Sequence, residues 1–395
     1  MTNRNTRNLV VGVSFLALIA ALAIGQTYVQ NTAVVQAQDG VEAPMFEVDP
    51  LWPKPLPNHW VMGMTIGVAV DSNDHVFIVH RPETVTAGEA PAANGNAREC
   101  CEPAPPILEF DQEGNLINSW GGPGEGYEWP QSNHGLAFDQ HDNLWIGGNG
   151  ANDAHILKFS HDGQFLAQFG KAGMNAGSHD QENFWRVAKV HIDPQENEVY
   201  VADGYGNKRV AVIDAEDGEF KRYWGAYGNP PDDADLGRYD PSAPPAQQFR
   251  NPVHCAELAV DRLLYVCDRV NDRVQVFQTD GTYVDEVIIE AQTLGAGSVW
   301  EIAFSRDDEQ KYMYVADGVN ERIHVLDRAS LELLTSFGDG GRQPGQFYGA
   351  HSIASDSSGN LYTTETFEGR RVQRFVFKGV GNQPRGHQGV VWPTN

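Results

Sequence analysis

Over most of the chain, apolar and polar residues alternate with a period of two, in short runs broken by Asp, Asn, Gly and Pro. That period belongs to strands with one buried face, and the breaks are turn residues. The runs recur as a unit. GVAVDSNDHVFIVHR begins at Gly67, HGLAFDQHDNLWIGG at His134 and KVHIDPQENEVYVADGYGNKRVAVID at Lys189. ELAVDRLLYVCDRVNDRVQVF follows at Glu257, EIAFSRDDEQKYMYVADGVNERIHVLD at Glu301 and HSIASDSSGNLYTTETFEGRRVQRFVF at His351. Each copy holds a strand, a turn, a second strand, a Gly/Asn-rich connector and a third strand. Most add a fourth strand ending in SWG, QFG, YWG or SFG. Short antiparallel strands repeated at this spacing predict an all-β fold, a six-bladed β-propeller.

The sixth copy runs out after its third strand near Phe377, and MFEV at residues 45–48 offers the missing outer strand. The predicted propeller therefore spans 45–378, followed by a tail over 379–395. Two long interruptions, 82–106 in blade 1 and 226–253 before blade 4, read as loops on a rigid scaffold.

Ahead of the repeats, Arg4 and Arg7 precede an uncharged apolar stretch at 9–25 and a polar segment ending VQA at Ala37. This pattern predicts an export signal over residues 1–37, or an uncleaved membrane tether, with the propeller periplasmic or secreted. The chain carries 28 Lys+Arg against 53 Asp+Glu, a net charge of −25, which argues against a nucleic-acid partner. Four cysteines are too few for a disulfide scaffold. Cys100 and Cys101 are adjacent. Cys255 and Cys267 flank a hairpin, where strict alternation points them to opposite faces unless a bulge intervenes. The pairing stays open.

In a propeller the first strand of every blade lines the axis. Histidines stand at that strand's start in blades 2, 4 and 6: His134, His254 and His351. Blades 1, 3 and 5 present Ile66, Ala188 and a Gly/Ser/Val stretch near Gly297. Alternate blades of a six-fold ring stand about 120° apart, so three imidazoles converge on the axis. Three neutral nitrogens with a fourth position open are the coordination of a catalytic zinc. Three histidines scattered over six blades would alternate by chance about one time in ten. His191, on the inner strand of blade 3, reads as a channel histidine, and the remaining histidines, His75 and His161 among them, show no comparable pattern.

Each second strand returns to the same rim, where Arg81, Tyr205 and Arg269 stand. Two guanidinium groups beside a metal suit a carboxylate, and a phenol among these cations is placed as a general base. Read separately, DGYGN is also ordinary turn chemistry, and a lone rim arginine is often only solvated.

HGLAFD at His134, VYVADGYGNKR around Tyr205, VHCAELAVDRLLYVCDRVNDRVQVF with His254 and Arg269, AHSIASD at His351 and FIVHR at Arg81 together resemble the peptidyl-α-hydroxyglycine α-amidating lyases, propellers of NHL-type repeats. The resemblance covers roughly residues 60–378. It implies a zinc held by His134, His254 and His351, Tyr205 as base, and Arg81 and Arg269 on a substrate carboxylate. The implied reaction splits the C–N bond of a carbinolamide to an amide and glyoxylate, with a small-molecule or peptide substrate and no redox cofactor. Two positions depart from the family. Ser352 follows the last histidine where an aspartate linked to calcium is common, which puts calcium in question, and Gly349 stands where animal enzymes have methionine. No copper monooxygenase segment accompanies the repeats, so the substrate is open to other carbinolamides. The competing reading is a non-catalytic propeller that binds a peptide, glycan or protein through its loops. A calcium-dependent lactonase would line the axis with carboxylates instead.

Overall fold

Six four-stranded antiparallel sheets stand around one axis in the computed structural model, which describes residues 40–393. The predicted export signal or tether at 1–37 lies outside the described residues. Among these, no helix is long and apolar enough to cross a membrane.

Blade 2 shows how the alternating code becomes a sheet. Its strands run Asn133–Phe138, Leu144–Gly148, His155–Phe159 and Phe165–Gly170, ordered from axis to rim. The first turn is held by Asp139, whose Oδ1 accepts the backbone N–H groups of His141 and Asn143 at 2.9 and 3.0 Å. Asp71 and Asp356 hold the same turn in blades 1 and 6. This is the local reason for an aspartate after the first strand: its carboxylate replaces the backbone acceptors that the turn lacks.

The apolar positions pack between neighbouring blades. Trp145 of blade 2 stacks on Phe169 at 5.2 Å, and both sit in a cluster with Val190, Val199 and Val201 of blade 3. Every blade thus completes the core of the next, and closing the ring covers the last exposed face.

Closure is made by the N-terminal strand. Val41–Asp49 pairs antiparallel with Val372–Gln383, setting Phe46 opposite Phe377 and Val48 opposite Phe375, and becomes the outer strand of blade 6. Phe46 also meets Tyr314 and Phe337 of blade 5 at 5.6 and 5.4 Å. The closing strand continues to Gln383, five residues past 378, and the segment beyond is tied down by Gln388 N–H to Ser336 O and Val48 N–H to Val391 O, both 2.8 Å.

Cys255 and Cys267 form a disulfide with Cα atoms 4.9 Å apart. The register of blade 4 slips between Val253 and Ala256, so an extra residue breaks the alternation and turns Cys255 toward its partner. Cys100 and Cys101 are also bonded, within the blade 1 insert.

Candidate metal centre

The slip that moves Cys255 belongs to a pattern. Register shifts lie between Asn133 and Leu136, Val253 and Ala256, and Ala350 and Ser352. Each contains one of the three predicted histidines, second in its strand. An extra residue at a strand's start re-aims a side chain, here from the blade face toward the axis.

The structure brings the three rings together. Their centroids form a near-equilateral triangle with edges of 5.1, 4.9 and 4.9 Å, and ligand nitrogens of all three lie within 4.8 Å of one another. All are buried.

The odd-numbered blades orient these rings. His134 Nδ1 lies 2.6 Å from the carbonyl oxygen of Ala188 in blade 3, and His351 Nδ1 2.6 Å from that of Ile66 in blade 1. His254 Nδ1 bonds the carbonyl of Trp300 in blade 5. A carbonyl can only accept, so each Nδ1 carries the hydrogen and each Nε2 keeps its lone pair. Ile66 and Ala188 stand at the positions expected of them. The blade 5 residue is Trp300 rather than the stretch near Gly297, because its N–H begins the ladder by bonding Ala316 O at 2.9 Å.

Burial and positive neighbours keep the rings neutral. Both His134 and His254 are held well below the ordinary imidazole value, foremost by burial, then by His351, Arg81 and Arg269 for His134 and by Arg269, His351 and His134 for His254. His351 falls to about 3, by burial and then by Arg269 and Arg81.

Tyr205 enters from the blade 3 rim. Gly204 and Gly206 let its turn approach so closely, since a Cβ on Gly204 would stand 2.0 Å from Val253 O and one on Gly206 2.4 Å from the Trp185 ring. Beneath the turn, buried Asp203 accepts from Trp185 N–H, Asn207 Nδ2 and Arg209 Nε at 2.7–2.8 Å. The phenol oxygen lies 3.1 Å from His134 Nε2 and 3.0 Å from His254 Nε2. One hydroxyl hydrogen cannot satisfy two imidazole lone pairs, and Arg269 Nη1 already donates to that oxygen at 3.1 Å. Protein hydrogens are too few for the lone pairs gathered here, and a cation suits the deficit. Three imidazoles with fixed tautomers fit a divalent metal.

Arg269 is 9 % exposed and lies over the Trp300 ring at 4.3 Å. Its Nε is buried without a hydrogen-bond partner, and among the described residues it pairs with no carboxylate. Arg81 is held by Asn133 O at 3.0–3.1 Å and Asn149 Oδ1 at 2.8 Å. Burial lowers its guanidinium from the ordinary value, with Tyr205, Glu83 and Asp153 acting the other way. The rim therefore offers two guanidinium groups, neither of which is in an ion pair among the described residues.

One residue further along the axis the character changes. Lys189 pairs with Glu257 at 3.0 Å and with Glu301, and His191 reaches Glu257 at 3.0 Å. Ser352 Oγ donates to Glu301 at 2.9 Å. These axial carboxylates are balanced by an ammonium group. Beyond them an axial cavity of about 300 Å³, lined by Lys189, His191 and Glu257, leads to the opposite face and includes none of the three histidines. Sequence reasoning missed Trp300, Asn149 and this layer. Trp300 was legible only as the residue before EIAF.

The fold and site define an NHL-like propeller with a three-histidine axial centre, and its relatives are distant. The chain is 29% identical over 228 residues to a peptidyl-glycine alpha-amidating monooxygenase of Mus musculus, covering 55% of this chain and 21% of that one. It is 24% identical over 306 residues to NHL repeat-containing protein 3 of Mus musculus, covering 74% and 71%. The chain thus spans about a fifth of the alpha-amidating monooxygenases it matches. No family model matches. A structural genomics protein of unknown function from Bacteroides thetaiotaomicron shares the fold, with TM-score 0.50 and 14% identity over 80% of this chain and 70% of that one.

Proposed function

We propose that the protein is an exported, zinc-dependent carbon–nitrogen lyase, splitting a carbinolamide that bears a carboxylate into an amide and glyoxylate. The observation that carries this reading is the convergence of two oriented imidazole lone pairs on the single hydroxyl of Tyr205, beside a buried guanidinium with unspent donors. Similarity to alpha-amidating monooxygenases supports it. His134, His254 and His351 would hold the zinc, which supplies Lewis acidity to a substrate hydroxyl.

The remaining steps fall to the chain's own residues. Arg269 and Arg81 bind the substrate carboxylate, Arg269 kept flat by Trp300. With the carboxylate so anchored, the neighbouring carbinol carbon faces Tyr205. Tyr205, as its phenolate and accepting from Arg269 Nη1, takes the hydroxyl proton. The C–O bond becomes a carbonyl while the C–N pair departs onto the amide nitrogen, which takes that proton from Tyr205 and so restores the phenolate. Atoms and electrons balance without an oxidant or reductant.

The test is to incubate purified protein with α-hydroxyhippurate and measure glyoxylate, with zinc present and after chelation. Zinc-dependent release that His254→Ala abolishes is the expected result. Release equal in wild type and His254→Ala would overturn the reading and favour a non-catalytic propeller.

A further inference from the structure

At the opposite end of the blade 1 inner strand, four side chains that sequence patterning left apart come together: Asp71, His75, Glu109 and His161. We propose that they form a second divalent-metal site of the zinc class, structural in role, clasping blade 1 to blade 2. This goes beyond the axial centre and does not depend on it.

The geometry is that of a closed four-ligand shell. His75 Nδ1 lies 2.9 Å from Glu109 Oε1 and 3.7 Å from Asp71 Oδ2, and His161 Nε2 lies 2.8 Å from Asp71 Oδ2 and 3.8 Å from Glu109 Oε1. Zinc bonds of 2.0–2.1 Å in a tetrahedron set ligands about 3.4 Å apart. The four separations straddle that edge. Both carboxylates are buried, while the imidazole side chains keep 31% and 35% exposure and leave a way in for an ion. All four ligands come from protein, as in structural sites, whereas the axial trio leaves a position open.

The repeats themselves supply the comparison. In blade 2 the equivalent carboxylate, Asp139, has its Oδ2 satisfied by Asn143 at 3.0 Å, Trp145 at 3.2 Å and Lys158 at 2.9 Å. In blade 6, Asn360 and Tyr362 serve Asp356. Blade 1 replaces these donors at three linked positions, with His75 for the asparagine, Phe77 for the hydrogen-bonding aromatic and Glu109 for the lysine. The residue opposite the strand aromatic is Lys158, Val212, Val276, Val325 and Arg374 in blades 2 to 6, and only blade 1 carries an acid there. His161 arrives from the outer turn of blade 2, its ring edge-on to Phe77 at 5.0 Å. Two buried carboxylates facing each other without lysine or arginine call for a cation, and two imidazole nitrogens select a borderline transition metal over calcium.

The test is zinc stoichiometry after chelation, dialysis against micromolar ZnCl2 and gel filtration, for full-length wild type, His254→Ala, Glu109→Lys and the double variant. Glu109→Lys installs the cation that blade 2 uses and so preserves folding. His161→Ala, a part-exposed turn position, serves as a second variant. Two zinc ions in wild type, one in each single variant and none in the double variant are expected, with zinc raising the melting temperature of His254→Ala but not of Glu109→Lys/His254→Ala. Loss of all zinc in His254→Ala, with Glu109→Lys and His161→Ala unchanged from wild type, overturns the second site and leaves the axial centre standing. Loss confined to Glu109→Lys and His161→Ala, with His254→Ala unchanged, supports the second site and overturns the axial one.

Discussion

The imidazole of His134 and the backbone carbonyl of Ala188, one blade further round, are bonded at 2.6 Å, and the relation repeats from His254 to Trp300 and from His351 to Ile66. Even blades supply rings and odd blades supply the acceptors that set their tautomers. Nitrogen NMR of histidine-labelled, metal-free protein at pH 7 is expected to show three buried imidazoles protonated at Nδ1 and bare at Nε2. Zinc then shifts the three Nε2 resonances together.

Replacing Tyr205 by Phe removes the proposed base and keeps the ring. Zinc content is expected to stay at the wild-type value while kcat falls about 10²- to 10⁴-fold, the usual worth of a positioned base. Rapid-quench turnover with metal analysis on the same sample checks both.

Arg269 is held on Trp300 and donates to Tyr205, so lysine does not replace it. Arg269→Lys is expected to lose about 10- to 100-fold in kcat/KM, in line with about 1.5–3 kcal/mol for a charged hydrogen bond. Substrates lacking the carboxylate are expected to show a smaller loss, since only the Arg269 contact to Tyr205 then matters, and steady-state kinetics on the paired substrates reads the difference.

Much of this was legible beforehand because a repeat magnifies its own exceptions. Six phased copies identify the inner strands, and three histidines at one phase stand out against Ile66 and Ala188. What stayed hidden has physical causes. A carbonyl acceptor belongs to every residue, so the part played by Ala188 and Ile66 leaves no mark in the letters. The bulges that aim the histidines and bring Cys255 to Cys267 add one residue, which reads as ordinary alternation ending early. His161 stands 90 positions from Asp71 and meets it only because blade 2 packs on blade 1.

Metal-free protein is expected to lose stability in acid. His351 titrates near 3 folded against 6.5 unfolded, and His134 and His254 shift the same way. A depressed histidine contributes in full above pH 6.5 and loses stability as pH falls, because only the unfolded chain takes the proton. Glu301 acts oppositely. Burial raises it to about 7 despite Lys189, so its folded form gains a proton first and offsets one histidine between pH 7 and 4.5. His80 joins the depressed histidines at about 4, and Asp272 and Glu321 are raised to about 7 as Glu301 is, so urea melts at pH 6.5, 5.5 and 4.5 are expected to fall by no more than about 1 kcal/mol per unit, the net of one histidine.

Lys189→Met leaves Glu257 and Glu301 facing each other in the channel. A cost of about 3–5 kcal/mol at pH 7 is expected from denaturant melts, shrinking in Lys189→Met/Glu301→Gln.

The most direct test of the axial centre is anomalous diffraction at the zinc edge from crystals grown with zinc at neutral pH. A peak is expected on the propeller axis about 2.0–2.1 Å from Nε2 of His134, His254 and His351, with Tyr205 beside it. An axis without such a peak, with the three rings still bonded through Nδ1 to their carbonyls, would contradict that centre.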